Sequence, residues 1–158
     1  MTTGDLADVC RIAALCHPDF PEDEVVFNEK YTLSPDTCFI LNGENNSVGY
    51  ILAHPFKSGA IPPLNCLLGG LPRQSDTLYI HDLALLPQAR NGGNGKKAVK
   101  LMCDCANEKK LKLLSLVAVN GSTPFWQKMG FERVVPPKEL KEKLLTYSSD
   151  ACYMERAV

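Results

Sequence analysis

The sequence predicts an α/β or α+β domain built on a mixed sheet, and three observations lead there. Strand-type runs alternate with helical stretches of 3.6-residue periodicity. Two neighbouring strand runs are joined by turn residues, which makes a hairpin. A strand, a Gly-rich turn and a helix follow one another between Leu78 and Glu108.

Taken in order, residues 4–16 read as a helix: Leu6, Val9, Ala13 and Leu15 with Ile12 lie near 3.6 spacing, and Thr3 can cap the start. His17-Pro18 ends it, because a residue before proline avoids the α region. A second helix is expected from Glu22 to about Tyr31, with Pro21 before it and acidic residues at its positive dipole end. Thr37–Leu41 and Val48–Ala53 are the hairpin strands, separated by the turn residues Asn42–Asn46. Pro55–Ser75 is a long loop rich in Pro and Gly, a kind that compact domains keep mainly for function or leave mobile. Leu78–Leu86 is the next strand, and Asn91–Gly95 the glycine turn. Residues 94–108 form a helix with an apolar stripe through Ala98, Val99, Met102, Cys105 and Ala106. Leu111–Val119 is apolar on both faces, as a central strand is. Pro124–Met129 is a short helix ended by Gly130, Phe131–Val135 is strand-like, Lys138–Leu145 is helical, and Ala151–Arg156 is a last strand.

A chain of 158 residues suits one domain, spanning 1–158. Hydrophobic residues make up 45%, charged residues 22%, and the net charge is -1, so no basic field points to nucleic acid or an anionic membrane. No apolar run reaches bilayer length, and the start Met1-Thr2-Thr3-Gly4-Asp5 lacks the features of a secretory signal, which makes the cytoplasm the expected location. The seven cysteines are scattered, and Cys103 and Cys105 lie two apart on a helix, so they do not share a face. A metal site is therefore not expected, and the thiols read as small buried residues in a reducing compartment.

The chemistry concentrates in the strand Tyr79–Leu86 and the turn Arg90-Asn91-Gly92-Gly93-Asn94-Gly95 that leads into the helix. Glycines let successive backbone N–H groups converge, and the helix start adds unpaired N–H groups and a positive dipole end. Together they cradle a phosphate or pyrophosphate. A Walker A loop is excluded, because Gly95 is followed by Lys96-Lys97 with no hydroxyl for magnesium. A dinucleotide GxGxxG match is weak, because Ala98 stands where the third glycine belongs.

Arg90–Gly95 fits a third design, the R/Q-x-x-G-x-G/A signature of the GCN5-related N-acetyltransferases. The strand Leu114–Val119, Asn120, and the segment Pro124-Phe125-Trp126-Gln127-Lys128-Met129-Gly130-Phe131 resemble the elements that follow it in that family. The hairpin ending Gly49-Tyr50-Ile51-Leu52-Ala53 fits as well. The resemblance covers roughly residues 5–156, with some likeness to the arylalkylamine N-acetyltransferase branch around Tyr79–Pro87 and Phe125-Trp126. It implies a mostly antiparallel sheet, acetyl-coenzyme A as cofactor, and direct transfer of the acetyl group to a small amine or a peptide amine. Homodimers are common among such relatives. Two departures stand out: Asn91 and Lys96 lie where Gly and small residues are commoner, and the family's first strand is missing before the first helix.

The resemblance places the coenzyme A pyrophosphate over Arg90, Asn91, Gly92, Gly93, Asn94, Gly95 and Lys96, and the pantetheine arm against the Leu83 and Leu85 backbones and Asn120. His81 is the candidate base, since an imidazole titrates near about 6.5. Asp82, the alternative base or amine-binding carboxylate, points to the opposite face of a regular strand, although a bulge would break that parity. His54 could touch the acceptor but reads first as a cap or turn residue, and His17 reads as a loop residue without a role. Trp126 stands where many relatives carry a Tyr that protonates the departing thiolate; an indole N–H does not release its proton, so Trp126 reads as an aromatic wall. The missing Tyr and first strand leave a second reading open, an acetyl-coenzyme A-binding module that controls a partner without catalysis.

Overall fold

The computed structural model describes residues 1–135 and 138–158. The first helix opens on a 3-10 turn, Thr3–Asp5, and continues as α1, Leu6–Cys16. The cap is Thr2 rather than Thr3: its backbone N–H donates to Asp5 Oδ2 at 2.6 Å, which satisfies the end of the helix reciprocally. Helix α2 is Glu24–Leu33, two residues later than expected at its start. Glu22 thereby stays in the α1–α2 connection, where its side chain is free to turn inward.

Strand β1, Cys38–Asn42, and β2, Ser47–Phe56, form the expected hairpin. β2 runs past Pro55, which was expected to end it. The Phe56 carbonyl accepts from Asp76 N–H on the β3 side, so Pro55, one residue earlier, turns its missing N–H the other way. There β1 has already ended, and the sheet loses no bond. Strand β3 is Thr77–Leu85, followed by a short helical turn α3, Pro87–Arg90, and by α4, Asn94–Glu108. The chain closes with β4, Leu113–Ala118; α5, Thr123–Lys128; β5, Glu132–Arg133; α6, Lys138–Leu144; and β6, Cys152–Ala157.

The six strands lie in the order β1-β2-β3-β4-β6-β5, all neighbours antiparallel except β3 and β4. No strand precedes α1 among the described residues, so β1 is the outer strand. On one face Ile51, Leu78, Ile80 and Leu114 pack under Val99 and Met102 of α4. On the other, Tyr50, Leu52 and Ala84 pack under Leu6, Val9 and Ile12 of α1 and Phe27 of α2. These side chains are nearly or wholly removed from water, each worth roughly 1.5–3 kcal/mol of burial for the larger ones.

Two irregularities in this sheet create the site. β3 pairs with β4 only from Thr77–Tyr79 against Leu113–Ser115, and beyond that the two parallel strands separate. β2 pairs Leu52 with Asp82 but Ala53 with Ile80, so His81 is an extra residue bulged out of β3.

Candidate active site

The separated ends of β3 and β4 open a cavity of about 370 Å³. One wall is β3 from Tyr79 to Leu85; the other is Leu116, Val117, Val119 and Asn120. Phe125 and Trp126 of α5 close one end beside Arg90, and Phe20, Glu22, Leu64 and Tyr147 close the other. The Leu86 N–H donates to the Val48 carbonyl of β2 at 2.9 Å. By the alternation of a strand, the N–H and C=O groups of Leu83 and Leu85 point away from β2, into the cleft. The Leu85 carbonyl accepts from Arg90 Nε at 2.9 Å and faces the Cys16 thiol at 3.5 Å.

The bulge decides where His81 and Asp82 go. In a regular strand they would face opposite sides; here both meet the α1–α2 connection. His81 Nε2 lies 2.7 Å from Glu22 Oε2, with both side chains only 6% exposed. The other Glu22 oxygen accepts from the Asn65 N–H at 3.1 Å. Burial pushes the Glu22 carboxyl up, but the charge and hydrogen bond of His81 outweigh it and hold it below the usual value. Asp82 meets a partner at each oxygen: Oδ2 accepts from the Tyr50 hydroxyl, and Oδ1 lies 3.1 Å from His17 Nε2, within ion-pair distance but without the alignment of a hydrogen bond. Burial opposes ionisation of Asp82 too, and these partners again win. The site thus holds two histidine–carboxylate pairs side by side.

Glu22, His17 and Tyr50 carried no functional signal in the sequence. Glu22 was assigned to a helix start, and nothing local shows that it lies against a residue 59 positions away. His17 is not an idle loop residue: Pro18 ends α1 there and turns the imidazole onto Asp82. His54 is neither cap nor turn. It lies inside β2, fully buried, with Nδ1 3.3 Å from the Pro55 carbonyl and its ring tilted against Tyr79. Burial pushes its pKa down to about 3, with the nearby His81 adding to the effect.

His54 therefore makes stability depend on pH. The unfolded chain binds a proton at His54 below about 6.5, whereas the folded chain resists it down to about 3, so the stabilisation is present above 6.5 and is lost as pH falls through that window. Urea unfolding should show His54→Phe losing less stability than the parent between pH 6 and pH 4, by up to about 1.4 kcal/mol per pH unit. Equal slopes in the two proteins would mean that His54 charges without opening the fold.

At the glycine turn, α4 begins after Gly93, whose φ is 70°. A Cβ placed there meets nothing within 4 Å. A Cβ at Gly95 would come within 2.9 Å of the Phe125 ring, so only glycine lets α4 start this close to α5. Asn94 Nδ2 donates to the Ala89 carbonyl at 2.9 Å, which ties the turn to α3. Asn91, Gly92 and Lys96 are exposed around the same helix start, outside the cavity walls. Asn120, with φ 52°, and the buried Trp126 lie in the cavity wall.

The long loop, 57–76, is held in place rather than loose. Glu29 accepts from the Leu68 and Gly69 N–H groups at 2.6 and 2.8 Å. Ile61 is buried with Tyr79, Leu140, Leu144 and Tyr153, and Leu64 reaches the cavity. No helix among the described residues is long and apolar enough to cross a membrane, and no group of three or more His, Cys, Asp or Glu among them is placed to hold a metal.

Residues 6–131 match the model of the Acetyltransferase (GNAT) family. No curated protein sequence matches the chain. Among solved structures, the GphF GNAT-like decarboxylase in complex with isobutyryl-CoA is similar with a TM-score of 0.80 at 15% identity, over 99% of this chain and 96% of that one. Ard1 from Thermoplasma volcanium gives a TM-score of 0.75 at 17% identity, over 100% and 94%. Naa50 of Arabidopsis thaliana, in complex with the bisubstrate analogue CoA-Ac-MVNAL, gives 0.70 at 14% identity, over 100% and 95%. At such identities the likeness speaks for the fold.

Proposed function

The chain belongs to the GNAT acetyltransferase family, and from that premise we propose that it moves an acetyl group from acetyl-coenzyme A directly to a small primary amine with a compact apolar body. The observation that carries the reading is the cleft between β3 and β4, with cofactor-type features at one end and a buried His81–Glu22 pair at the other. Acetyl-coenzyme A is a substrate here, and the residues present suit it. The open space over Gly93 at the α4 start suits the pyrophosphate, which the free N–H groups of the helix would hold together with Arg90 and Lys96. The Leu83 and Leu85 backbones face the cleft, where they suit the amide-bearing pantetheine arm and a thioester carbonyl. Trp126 and Asn120 flank that arm.

The acceptor end favours a small amine over a long peptide. Phe20, Leu64 and Tyr147 surround it, and the loop bearing Leu64 is anchored to α2 through Glu29. Transfer needs the amine neutral, and His81 is placed to take its proton, with Glu22 fixing the ring. Asp82, with a partner at each oxygen, serves the site by holding its partners rather than by meeting the amine.

Release of free thiol from acetyl-coenzyme A across a panel of arylalkylamines, aliphatic amines and short peptides is the direct test. Fastest turnover with small apolar amines supports the reading, and preference for peptides would move the acceptor outside the cavity. Tight acetyl-coenzyme A binding with no turnover on any amine would favour the binding module that the Trp126 substitution first suggested. Shortening the loop through Leu64–Gly70 should raise the acceptor KM and also lower kcat, because Asn65 in that stretch holds Glu22. Steady-state kinetics would show this, with acetyl-coenzyme A affinity little changed; an equal loss for both substrates would mean that the loop only supports the fold.

A further inference from the structure

Resting on the acetyl-transfer reading above, we infer that His17 is the general acid of the reaction, delivering a proton to the sulfur of the departing coenzyme A, with Asp82 and Tyr50 as its positioning residues.

Trp126 leaves the cleft without an obvious acid, and the remaining donors are committed elsewhere. Tyr79 is fully buried, its pKa is driven well above the usual value by burial, and the charge and hydrogen bond of Tyr147 add to the shift. The Tyr147 hydroxyl donates to the Pro62 carbonyl. Cys16 points its thiol at the Leu85 carbonyl. A guanidinium is no proton donor for a thiolate, and Arg90 Nε is held by the same carbonyl. His81 is bound to Glu22 at the acceptor end.

His17 combines a transferable proton with a place in the cavity wall beside the Leu83 and Leu85 backbones, where the acetyl-transfer reading puts the thioester. It follows Cys16 at the end of α1, the corner of the helix that leans on β3 at Leu85. It lines the cavity, and its side chain is 24% exposed while Nε2 is buried toward Asp82, which leaves the rest of the ring to meet a bound ligand. The Tyr50 hydroxyl donates to one Asp82 oxygen and fixes the carboxylate, and the other oxygen lies 3.1 Å from His17 Nε2, an ion-pair contact. The groups that face the ring are Asp82 from β3, the Leu83 backbone, Arg90 from α3 and the neighbouring Cys16. Burial and Arg90 disfavour its charged form; the Asp82 carboxylate beside it, with the Leu83 backbone, prevails and raises its pKa. The charged form of the ring is thereby favoured over that of a free histidine.

The step balances. The amine lone pair forms the C–N bond as the carbonyl π pair moves to oxygen. That pair returns, the C–S bond breaks with its electrons on sulfur, and the imidazolium proton not turned to Asp82 passes to that sulfur. The proton on the new nitrogen goes to His81. His17 is recharged from solvent, and the sum is thioester plus amine giving amide plus thiol.

The test uses His17→Gln, which keeps a polar side chain at the end of α1, with circular dichroism and coenzyme A binding to establish that it folds. Its kcat should fall about 10²-fold, the lower end of the range for one general acid, because a thiolate leaves tolerably well unaided. The alkaline limb of the pH–rate profile should vanish with it. Asp82→Asn, which keeps the imidazole but removes its partner's charge, should move that limb to lower pH. A second readout needs no turnover: calorimetric binding of coenzyme A against desulfo-coenzyme A as pH rises. The parent should increasingly prefer the thiol-bearing ligand as the thiolate meets the imidazolium, and His17→Gln should not. Parent-like kcat, pH profile and thiol preference in His17→Gln would overturn the inference while leaving acetyl transfer intact. If the parent turned over no amine yet kept a His17-dependent thiol preference, the acetyl-transfer reading would fail, and the placement of His17 against the sulfur would stand. Absence of coenzyme A binding in the parent would overturn both.

Discussion

Replacing His81 with Ala should lower kcat by about 10²–10⁴-fold and leave acetyl-coenzyme A affinity nearly unchanged. The expectation follows from where the bulge in β3 puts the ring. His81 lies at the end of the cleft proposed for the acceptor, away from the glycine turn, with Nε2 2.7 Å from a buried carboxylate. That carboxylate fixes the ring in place beside the cleft. His81→Gln should behave like the alanine variant, since an amide accepts no proton near neutral pH. Glu22→Gln should fall between them and the parent, because the amide keeps a hydrogen bond but not the charge. The acidic limb of kcat/KM should disappear in both His81 variants, measured with acceptors of different amine pKa so that deprotonation of the amine itself is separated. Turnover close to the parent's in His81→Ala, with an unchanged profile, would return the proton transfer to solvent and leave His81 as packing for Glu22.

What could be read from the sequence divides by distance along the chain. The strand–turn–helix unit from Thr77 to Glu108 was legible because each part has a local signal: β-type residues, consecutive glycines, then a helical stripe. The same holds for the hairpin and for α5 ended by Gly130. Pro55 misled, because whether proline ends a strand depends on what lies beside it, and β1 stops before reaching it. The bulge at His81 is a property of the pairing between β2 and β3, and neither strand announces it. That one residue brings His81 and Asp82 to the same side. Their partners then come from the α1–α2 connection, with Glu22 arriving from a segment whose composition looked helical and His17 from a position marked only by the following proline. The candidate residues on β3 were thus nameable from local pattern, whereas their partners on the α1–α2 connection were not.

Filling the space over Gly93 should cost about 10²-fold in acetyl-coenzyme A affinity. Such a side chain would exclude a phosphate from the start of α4, and the loss of two charge-assisted hydrogen bonds of about 1.5 kcal/mol each makes roughly 3 kcal/mol. The choice of substitution matters, because Gly93 has φ 70°, a left-handed conformation that a β-branched residue resists. Gly93→Val would strain the turn as well as block it, so a loss of binding in that variant alone would not separate the two causes. Asn tolerates the left-handed region, and a Cβ at this position meets nothing within 4 Å, so Gly93→Asn should keep the turn while projecting an amide into the cradle. Calorimetry with acetyl-coenzyme A should show both variants weakened. Thermal unfolding should show Gly93→Val alone losing stability by more than about 1 kcal/mol. Lys96→Ala, which leaves the backbone N–H groups untouched, should lose less affinity than either, and its deficit should shrink in salt as the screening length shortens. If Gly93→Asn bound acetyl-coenzyme A as tightly as the parent, the pyrophosphate would have to lie away from this helix start, and the assignment of Arg90–Gly95 as its cradle would fall.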